Sequence, residues 1–186
     1  YSFLEENIMK VKKINVYLTE EQITERVREM GEEISRDYGD ESVYLICILK
    51  GSIFFTCELA KRISSPVEMD FMSVSSYGAG TKSSGVVKIG KDLDTTIEGK
   101  NVLVVEDIID SGRTLSYLLQ NLQTRNPKSL KLCTLLDKPD RRVCDVKVDY
   151  VGFEIPDEFV VGFGLDLDQK YRNLPYIGCV ELEDEE

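Results

Sequence analysis

Two adjacent carboxylates followed by a short polar turn form the segment of this chain most able to do chemistry. Glu106 and Asp107 come directly after four apolar residues at 102–105, and residues 110–114 then read Asp-Ser-Gly-Arg-Thr. In an open α/β sheet, side chains that follow a buried strand lie at its carboxyl edge, where ligands bind. Two neighbouring anions cost energy unless a cation or a polyhydroxylated ligand meets them. The pair is therefore a candidate site for such a ligand.

The polar turn predicts the start of a phosphate-binding helix. Residues 114–122 carry leucines at helical spacing directly after it. Backbone N–H groups and the positive dipole end at a helix start can hold a phosphate, and the Ser111 and Thr114 hydroxyls would add donors. A simpler interpretation is that Asp110 or Ser111 only caps this helix and that the two carboxylates before it form a solvated strand end.

Residue types that are absent restrict the chemistry further. The chain contains no histidine, which excludes a Ser-His-Asp triad, a Cys-His nucleophile and a His-ligated zinc. Acid–base work must then fall to Asp, Glu, Lys or Tyr. The five cysteines are odd in number and lack CxxC spacing, which favours reduced structural thiols over a zinc or redox site.

The remaining pattern predicts how these groups are positioned. The length of 186 residues is typical of one domain. Helices are expected at residues 19–39, 53–63 and 114–122, and strands at 43–49, 67–74, 102–105, 130–136, 148–153 and 159–163. Strands that alternate with helices indicate a parallel sheet with right-handed crossovers. The glycine-rich residues 75–85 predict a mobile excursion, and residues 181–186 a solvated acidic end.

The charge balance bears on location and partners. There are 23 basic and 34 acidic residues, for a net charge of −11, and this field disfavours binding to nucleic acid or an anionic membrane. The apolar run at residues 43–49 is far shorter than a bilayer crossing requires, and no signal peptide opens the sequence. We therefore expect a cytoplasmic protein with no nucleic-acid and no membrane partner.

Several separated motifs carry a resemblance to a known family. The order of residues 102–114 resembles the phosphoribosyl pyrophosphate signature of the type I phosphoribosyltransferases. Similarity to the hypoxanthine-guanine phosphoribosyltransferases of the bacterial kind extends over residues 45–51, 75–77, 135–139 and 153–162, with Asp166 and Arg172. The resemblance spans residues 4–182, almost the whole chain.

This resemblance implies a fold and an activity. The implied fold is an α/β domain over residues 1–186, with a central mostly parallel sheet flanked by helices. A small hood would come from the termini, about 1–18 and 154–182, and a mobile loop would cover about 75–87. The implied reaction is Mg²⁺-dependent transfer of the 5-phosphoribosyl group from phosphoribosyl pyrophosphate to hypoxanthine or guanine, which gives IMP or GMP and pyrophosphate. The alternatives are a xanthine-preferring transferase and a non-catalytic nucleic-acid-binding regulator on the same fold. The family also implies a homo-oligomer, either a dimer or a tetramer.

The resemblance also implies roles for residues around the sugar and its phosphates. Asp110 would be the general acid/base that takes a proton from the purine imidazole ring. Contacts to the phosphoribosyl group and its 5′-phosphate are implied for Glu106, Asp107, Asp110, Ser111, Gly112, Arg113 and Thr114. Pyrophosphate contacts are implied for Lys50, Gly51, Ser76, Tyr77 and Arg172. Taken alone, Lys50 and Arg172 would be read as ordinary solvated side chains.

The remaining implied roles concern the purine and the metal. Lys138 would donate to the purine 6-oxo group, Phe159 would stack on the base, and Val160 would offer backbone contacts to its edge. Asp166, placed in the same purine subsite, would assist at a metal or its waters. The implied Mg²⁺ ligands are Glu106, Asp107 and Asp166. For Phe159 the alternative is that an aromatic residue on a short strand belongs to the core.

Overall fold

Strands and helices alternate along residues 11–76 and 87–183, which are the residues that this computed structural model describes. The strands are β1 (Val11–Leu18), β2 (Val43–Leu49), β3 (Val67–Ser76), β4 (Val87–Lys91), β5 (Asn101–Ile109), β6 (Ser129–Asp137), β7 (Tyr150–Glu154), β8 (Val160–Val161) and β9 (Ile177–Leu182). The helices are α1 (Glu20–Tyr38), α2 (Ile53–Ala60) and α3 (Arg113–Gln123), with a short 3₁₀ helix at Pro139–Arg141. None of these helices has both the length and the apolar character that a bilayer crossing requires.

The strands form two sheets. The larger sheet has the order β4-β3-β2-β5-β6-β7, in which only the edge strand β4 is antiparallel to its neighbour. The smaller sheet is antiparallel, with the order β1-β9-β8. These sheets confirm the α/β fold class. The chain runs outward from β2 to β3 on one side and from β5 to β6 on the other. A ligand site is therefore expected where β2 and β5 end side by side.

The larger sheet separates two apolar cores. One core joins α1 and α2 to one face of the sheet, and the other joins α3 to the opposite face. Strand β2 is buried along nearly its whole length, and its residues alternate between the cores: Leu45 belongs to the first, and Ile46 and Ile48 to the second. A strand covered on both faces is a continuous apolar run, which is why the sequence pattern identified it.

Helix α1 begins as its sequence predicts. The Thr19 hydroxyl accepts from the Gln22 N–H at 3.3 Å, and the Gln22 side chain accepts from the Thr19 N–H at 2.9 Å. This reciprocal pair is a capping box. The helix ends at Gly39, whose φ of 55° suits a residue without a β-carbon.

The structure corrects several expected boundaries. Three strands were not anticipated, β1, β4 and β9. Strands β1 and β4 are charged edge strands without the apolar run of a buried strand, and β9 is a short central strand of the small sheet that is buried only at its start. The expected solvated acidic end is exposed at residues 181–183, but residues 181–182 also belong to β9, and Glu181 pairs with Lys12 at 2.7 Å. Helix α2 stops at Ala60 instead of residue 63, and β8 has two residues instead of five. Of the expected mobile loop, both flanks are paired strand, Ser76 with Val87, and residues 77–86 lie outside the described residues.

Candidate active site

A cavity of about 340 Å³ opens where β2 and β5 end side by side. It is lined by residues from the ends of these strands, from the start of α3 and from the loop after β8. The predicted site residues among them are Lys50, Gly51, Glu106, Asp107, Asp110, Ser111, Gly112, Thr114, Asp166 and Arg172. The fold thus brings together groups that are more than a hundred positions apart in the sequence.

The acidic pair forms one wall of this cavity. Glu106 and Asp107 are half-buried, and the Asp107 carboxylate accepts from the Ile108 N–H at 2.8 Å. Removal of water from the Glu106 carboxyl, together with the adjacent charge of Asp107, raises the pKa of Glu106 well above its ordinary value. A β-carbon on Gly51 would overlap the Asp107 carboxylate, so the glycine lets the turn after β2 lie against Asp107 in its present orientation. The pair is thus held at an energetic cost that a cation or a hydroxyl-rich ligand would relieve.

The start of α3 is arranged to receive an anion. Its N-cap is Gly112, with a left-handed φ of 79° and no side-chain hydrogen bond that caps the helix. Neither Asp110 nor Ser111 occupies the N-cap position, so that simpler interpretation is wrong, although the Arg113 backbone N–H donates to the Ser111 hydroxyl at 3.5 Å. A β-carbon on Gly112 would lie 3.0 Å from Arg142 Cδ and 3.3 Å from Val146 Cγ2, so a side chain there would be crowded as well as strained by the positive φ. The N–H groups at this helix start line the cavity side and can bind a phosphate.

Two cationic side chains line the same cavity, Lys50 from the turn after β2 and Arg172 from the loop after β8. Lys50 donates to the Gln169 side-chain oxygen at 3.1 Å, and Arg172 approaches the same oxygen at 3.3 Å. Arg172 also pairs with Asp166 at 2.8 Å and donates to the Gly164 carbonyl at 2.7 Å. Gln169 therefore brings Lys50 close to the Arg172–Asp166 ion pair, and an anionic ligand could contact both cations.

A second ionic group connects Asp110, just after β5, to Asp157, in the turn before β8. Arg141 donates from Nε to Asp110 Oδ1 at 2.8 Å and from Nη1 to Asp157 Oδ2 at 3.0 Å. Lys138 Nζ lies 3.4 Å from the other Asp157 oxygen. The hydrogen bond from Arg141 lowers the pKa of the Asp157 carboxyl. Lys138 is thus brought near Asp110, although it does not line the cavity.

The remaining predicted residues fall outside the cavity lining. Phe159 is 50% exposed, which excludes the interpretation that it belongs to the core, and Val160 is buried opposite Cys179 in the small sheet. Arg113 opens α3 without lining the cavity. Ser76 ends β3, and Tyr77 lies outside the described residues.

Three site residues were not predicted from the sequence: Gln169, Arg141 and Asp157. Each lies within a few positions of a predicted residue, and that proximity was the only available signal. Gln169 contacts Lys50, 119 positions away in the sequence. Arg141 contacts Asp110 and Asp157, which are 31 and 16 positions away. A contact of this kind follows from the tertiary fold, so local sequence patterns do not contain it.

Comparisons with known proteins agree with this geometry. A model of the phosphoribosyl transferase domain family matches residues 15–168. The chain is 50% identical to the hypoxanthine-guanine phosphoribosyltransferase of Streptococcus thermophilus over 180 residues, which is 97% of each chain. It is 54% identical to the enzyme of the same name from Bacillus subtilis over 166 residues, 89% of this chain and 92% of the relative.

The chain belongs to the hypoxanthine-guanine phosphoribosyltransferase family. Solved structures of this family have the same fold. The hypoxanthine-guanine phosphoribosyltransferase of Bacillus anthracis superposes with a TM-score of 0.87 at 50% identity, covering 92% of this chain and 100% of that one. The type I phosphoribosyltransferase architecture expected from the sequence is thereby confirmed, with its mostly parallel sheet and small antiparallel sheet.

Proposed function

We propose that this protein transfers the 5-phosphoribosyl group of phosphoribosyl pyrophosphate to hypoxanthine or guanine, forming IMP or GMP and releasing pyrophosphate. One observation carries the proposal: a single cavity holds the acidic pair Glu106–Asp107, a helix start with glycine at its N-cap and the cations Lys50 and Arg172. Phosphoribosyl pyrophosphate consists of a 5′-phosphate, a ribose and a pyrophosphate. Each of these three parts has a chemically complementary group in the cavity: the helix start, the acidic pair and the two cations.

The substrate would lie across the cavity with its sugar at the acidic pair. The 5′-phosphate binds at the start of α3, where the N–H groups from Gly112 to Thr114 and the Ser111 and Thr114 hydroxyls donate to it. Glu106 and Asp107 accept from the ribose hydroxyls. The pyrophosphate lies against Lys50, Gly51 and Arg172, and Ser76 and Tyr77 are proposed to reach it from the segment after β3.

The donor set fits a magnesium ion shared with the substrate. Among the described residues, no group of three or more His, Cys, Asp or Glu side chains could enclose a metal. Mg²⁺ takes one or two carboxylates and fills its other positions with water and phosphate oxygens. Glu106 and Asp107 would hold it, with Asp166 at the ion or its waters, and the ion would neutralise charge on the leaving pyrophosphate.

The purine would lie between Asp110 and the side chains of Lys138 and Phe159. Lys138 donates to the 6-oxo group, Phe159 stacks its exposed ring on the base, and the Val160 backbone contacts the base edge. Departure of pyrophosphate leaves positive charge on the ribose, and the carboxylates beside the sugar stabilise it. Asp110 takes the proton that the purine imidazole ring loses as its nitrogen bonds to the sugar, so no covalent intermediate with the protein is needed.

The proposal extends to assembly and location. We propose a cytoplasmic dimer or tetramer that binds neither nucleic acid nor membranes. The net charge of −11 supports the lack of anionic partners, and the five unpaired cysteines, all within the described residues, support a reducing compartment. Sedimentation equilibrium measures the assembly, and a monomer at micromolar concentration would contradict it.

The Asp110→Asn variant tests the proposed chemistry. The amide keeps the shape of the side chain and loses the proton acceptor, so kcat should fall by about 10²–10⁴ while the KM values for both substrates change little. Steady-state rates with guanine and phosphoribosyl pyrophosphate measure both parameters.

An exposed aspartate on the neighbouring turn provides a matched control. Asp140 lies outside the cavity lining, and Asp140→Asn should keep the wild-type kcat. Near-normal turnover in Asp110→Asn would remove Asp110 from the mechanism.

A further inference from the structure

Arg141 connects two parts of the site that are distant in sequence. Its guanidinium contacts Asp110, just before α3, and Asp157, in the turn before β8, at 2.8 and 3.0 Å. Lys138 lies 3.4 Å from Asp157. We propose that Arg141 is a positioning residue: it holds the Asp110 carboxylate in the orientation needed to accept the purine proton, and through Asp157 it sets the distance to Lys138. This inference rests on the proposed function, because it assigns Asp110 and Lys138 to the purine.

The backbone around Arg141 makes it a suitable anchor. Arg141 ends the 3₁₀ helix, and its N–H donates to the Lys138 carbonyl at 3.1 Å. The Lys138 N–H donates to the Ile109 carbonyl at 3.0 Å, next to Asp110. Beyond the helix, the Val143 N–H donates to the Ser111 carbonyl at 3.1 Å. The segment that carries Arg141 is therefore fixed by hydrogen bonds on both sides of the Asp110 loop.

The geometry leaves Asp110 free to act as a base. Arg141 makes a short contact to Oδ1, whereas its contact to Oδ2 is 3.5 Å, at the limit of a hydrogen bond. A carboxylate offers about four lone-pair positions, so Oδ2 can still accept a purine N–H. The rigid guanidinium fork fixes the plane of the carboxylate, which a flexible ammonium would do less well. One cation thus orients the acceptor without occupying it.

A purely structural role would predict a different outcome. The side chains of Arg141, Asp110 and Asp157 are about half exposed, with 50%, 49% and 51% accessible. Ion pairs with this exposure contribute little to folding stability. Loss of Arg141 should therefore shift Tm only slightly, and an effect on turnover would have to come from the site.

The Arg141→Ala variant is the first test, with Arg28→Ala as its matched control. Arg28 also joins two carboxylates, Glu25 and Glu32, and its side chain is 45% accessible, but it lies on α1 away from the cavity. Arg141→Ala should lower kcat about 10- to 100-fold, as expected when a catalytic group is misplaced by about 1 Å. The KM for phosphoribosyl pyrophosphate should stay within about threefold of wild type, because the groups proposed to bind its phosphates are untouched. Both variants should keep Tm within about 4 °C of wild type.

Two further variants separate positioning from other roles. Arg141→Lys should recover part of the lost kcat, since it restores the charge without the fork. In the double variant Asp110→Asn/Arg141→Ala, kcat should be less than about threefold below that of Asp110→Asn alone. Arg141 acts through Asp110, so once Asp110 is replaced the loss of Arg141 has little further effect on kcat.

The possible outcomes distinguish this inference from the proposed function. A wild-type protein that is inactive with all purines overturns the proposed function itself. An active wild type whose kcat is unchanged or raised in Arg141→Ala overturns only the positioning role. Two other results would also overturn only the positioning role. One is a kcat loss in the double variant equal to the product of the two single-variant losses, and the other is a fall in Tm of Arg141→Ala large enough to explain its loss of activity.

Discussion

Like charges lie side by side at two places in the cavity lining. Glu106 lies beside Asp107, and Lys50 and Arg172 both contact one side-chain oxygen of Gln169, with Asp166 paired to Arg172. The repulsion between Glu106 and Asp107 costs the folded protein stability, and a cationic or hydroxyl-rich ligand turns that cost into binding energy. Strain in the loop that carries Arg172 fits the same pattern, since Asp168, Gln169 and Tyr171 all have positive φ.

A first prediction follows for Glu106. Glu106→Gln removes one charge of the repelling pair, so the ligand-free variant should melt above wild type, by about 2–4 °C for each 1 kcal/mol of repulsion relieved. It should also bind phosphoribosyl pyrophosphate more weakly with Mg²⁺ present. Scanning calorimetry and ligand titration measure the two effects.

The control for this prediction is Glu98→Gln, which changes an exposed carboxylate that does not line the cavity. Glu98→Gln should leave both Tm and the affinity for phosphoribosyl pyrophosphate at their wild-type values. A Glu106→Gln protein that melts below wild type would show that the carboxylate stabilises the fold, contrary to this account.

A second prediction concerns Lys138, which is 8% exposed. An ammonium has three donors and no acceptor, so it suits the 6-oxo group of guanine and not the amino group of adenine. Lys138→Ala should therefore lose most of its activity with guanine and hypoxanthine. The ratio of these rates to the rate with adenine should become smaller than in wild type. Rates with each base measure this change.

Lys147→Ala is the matched control, because Lys147 also pairs with an aspartate but is 87% accessible. Its rates should match wild type. If Lys138→Ala also leaves the guanine and adenine rates unchanged, Lys138 is a turn residue without a role in base recognition.

At the scale of elements, the sequence predicted what a continuous local pattern can express. The capping box at Thr19 marks the start of α1, and the apolar runs of β2 and β5 identified the strands whose ends carry the site. The order of residues 102–114 identified the acidic pair and the helix start together. The contacts of Arg141, Asp157 and Gln169 could not be predicted, because their partners lie elsewhere in the chain. Strands β1 and β9 were not predicted for the same reason, because they pair with each other from opposite ends of the chain.

Asp70 gives a prediction at this scale. Its buried carboxylate accepts from the Tyr44 hydroxyl at 2.6 Å and from the Phe71 and Asp94 N–H groups at 2.7 and 2.8 Å. It thereby joins β2 and β3 to the segment after β4. Asp70→Ala leaves these donors without their acceptor and should lower the free energy of unfolding by about 2–4 kcal/mol. Urea unfolding measures it, with the exposed Asp40→Ala as control.

The same carboxylate predicts a pH dependence. Burial alone would raise the pKa of Asp70, but the hydrogen bonds from Tyr44 and from the Phe71 and Asp94 N–H groups lower it below its ordinary value. A lowered folded-state pKa contributes stability above the unfolded value of about 3.9, and this contribution is lost as the pH falls through the folded pKa. The stability difference between wild type and Asp70→Ala should therefore shrink below about pH 4. A constant difference down to pH 2 would contradict the assignment.

At the scale of the whole molecule, the site depends on how the two sheets meet. The larger sheet supplies Lys50, the acidic pair and Asp110, whereas Arg172 comes from the segment between the strands of the small sheet. Gly164 fixes this junction: a β-carbon there would overlap the Gly51 carbonyl oxygen. The proposed pyrophosphate and sugar contacts therefore require both sheets in their present arrangement.

The central claim is that this site transfers a phosphoribosyl group to a 6-oxopurine. Initial rates with phosphoribosyl pyrophosphate, Mg²⁺ and each of hypoxanthine, guanine, xanthine and adenine test it most directly. The account predicts nucleotide formation with hypoxanthine and guanine, and rates with adenine lower by roughly 10⁴, because a site built around one hydrogen-bond polarity rejects the opposite one. A preference for xanthine would favour the alternative transferase. Adenine used as readily as guanine, or no nucleotide formed with any 6-oxopurine, would contradict the claim.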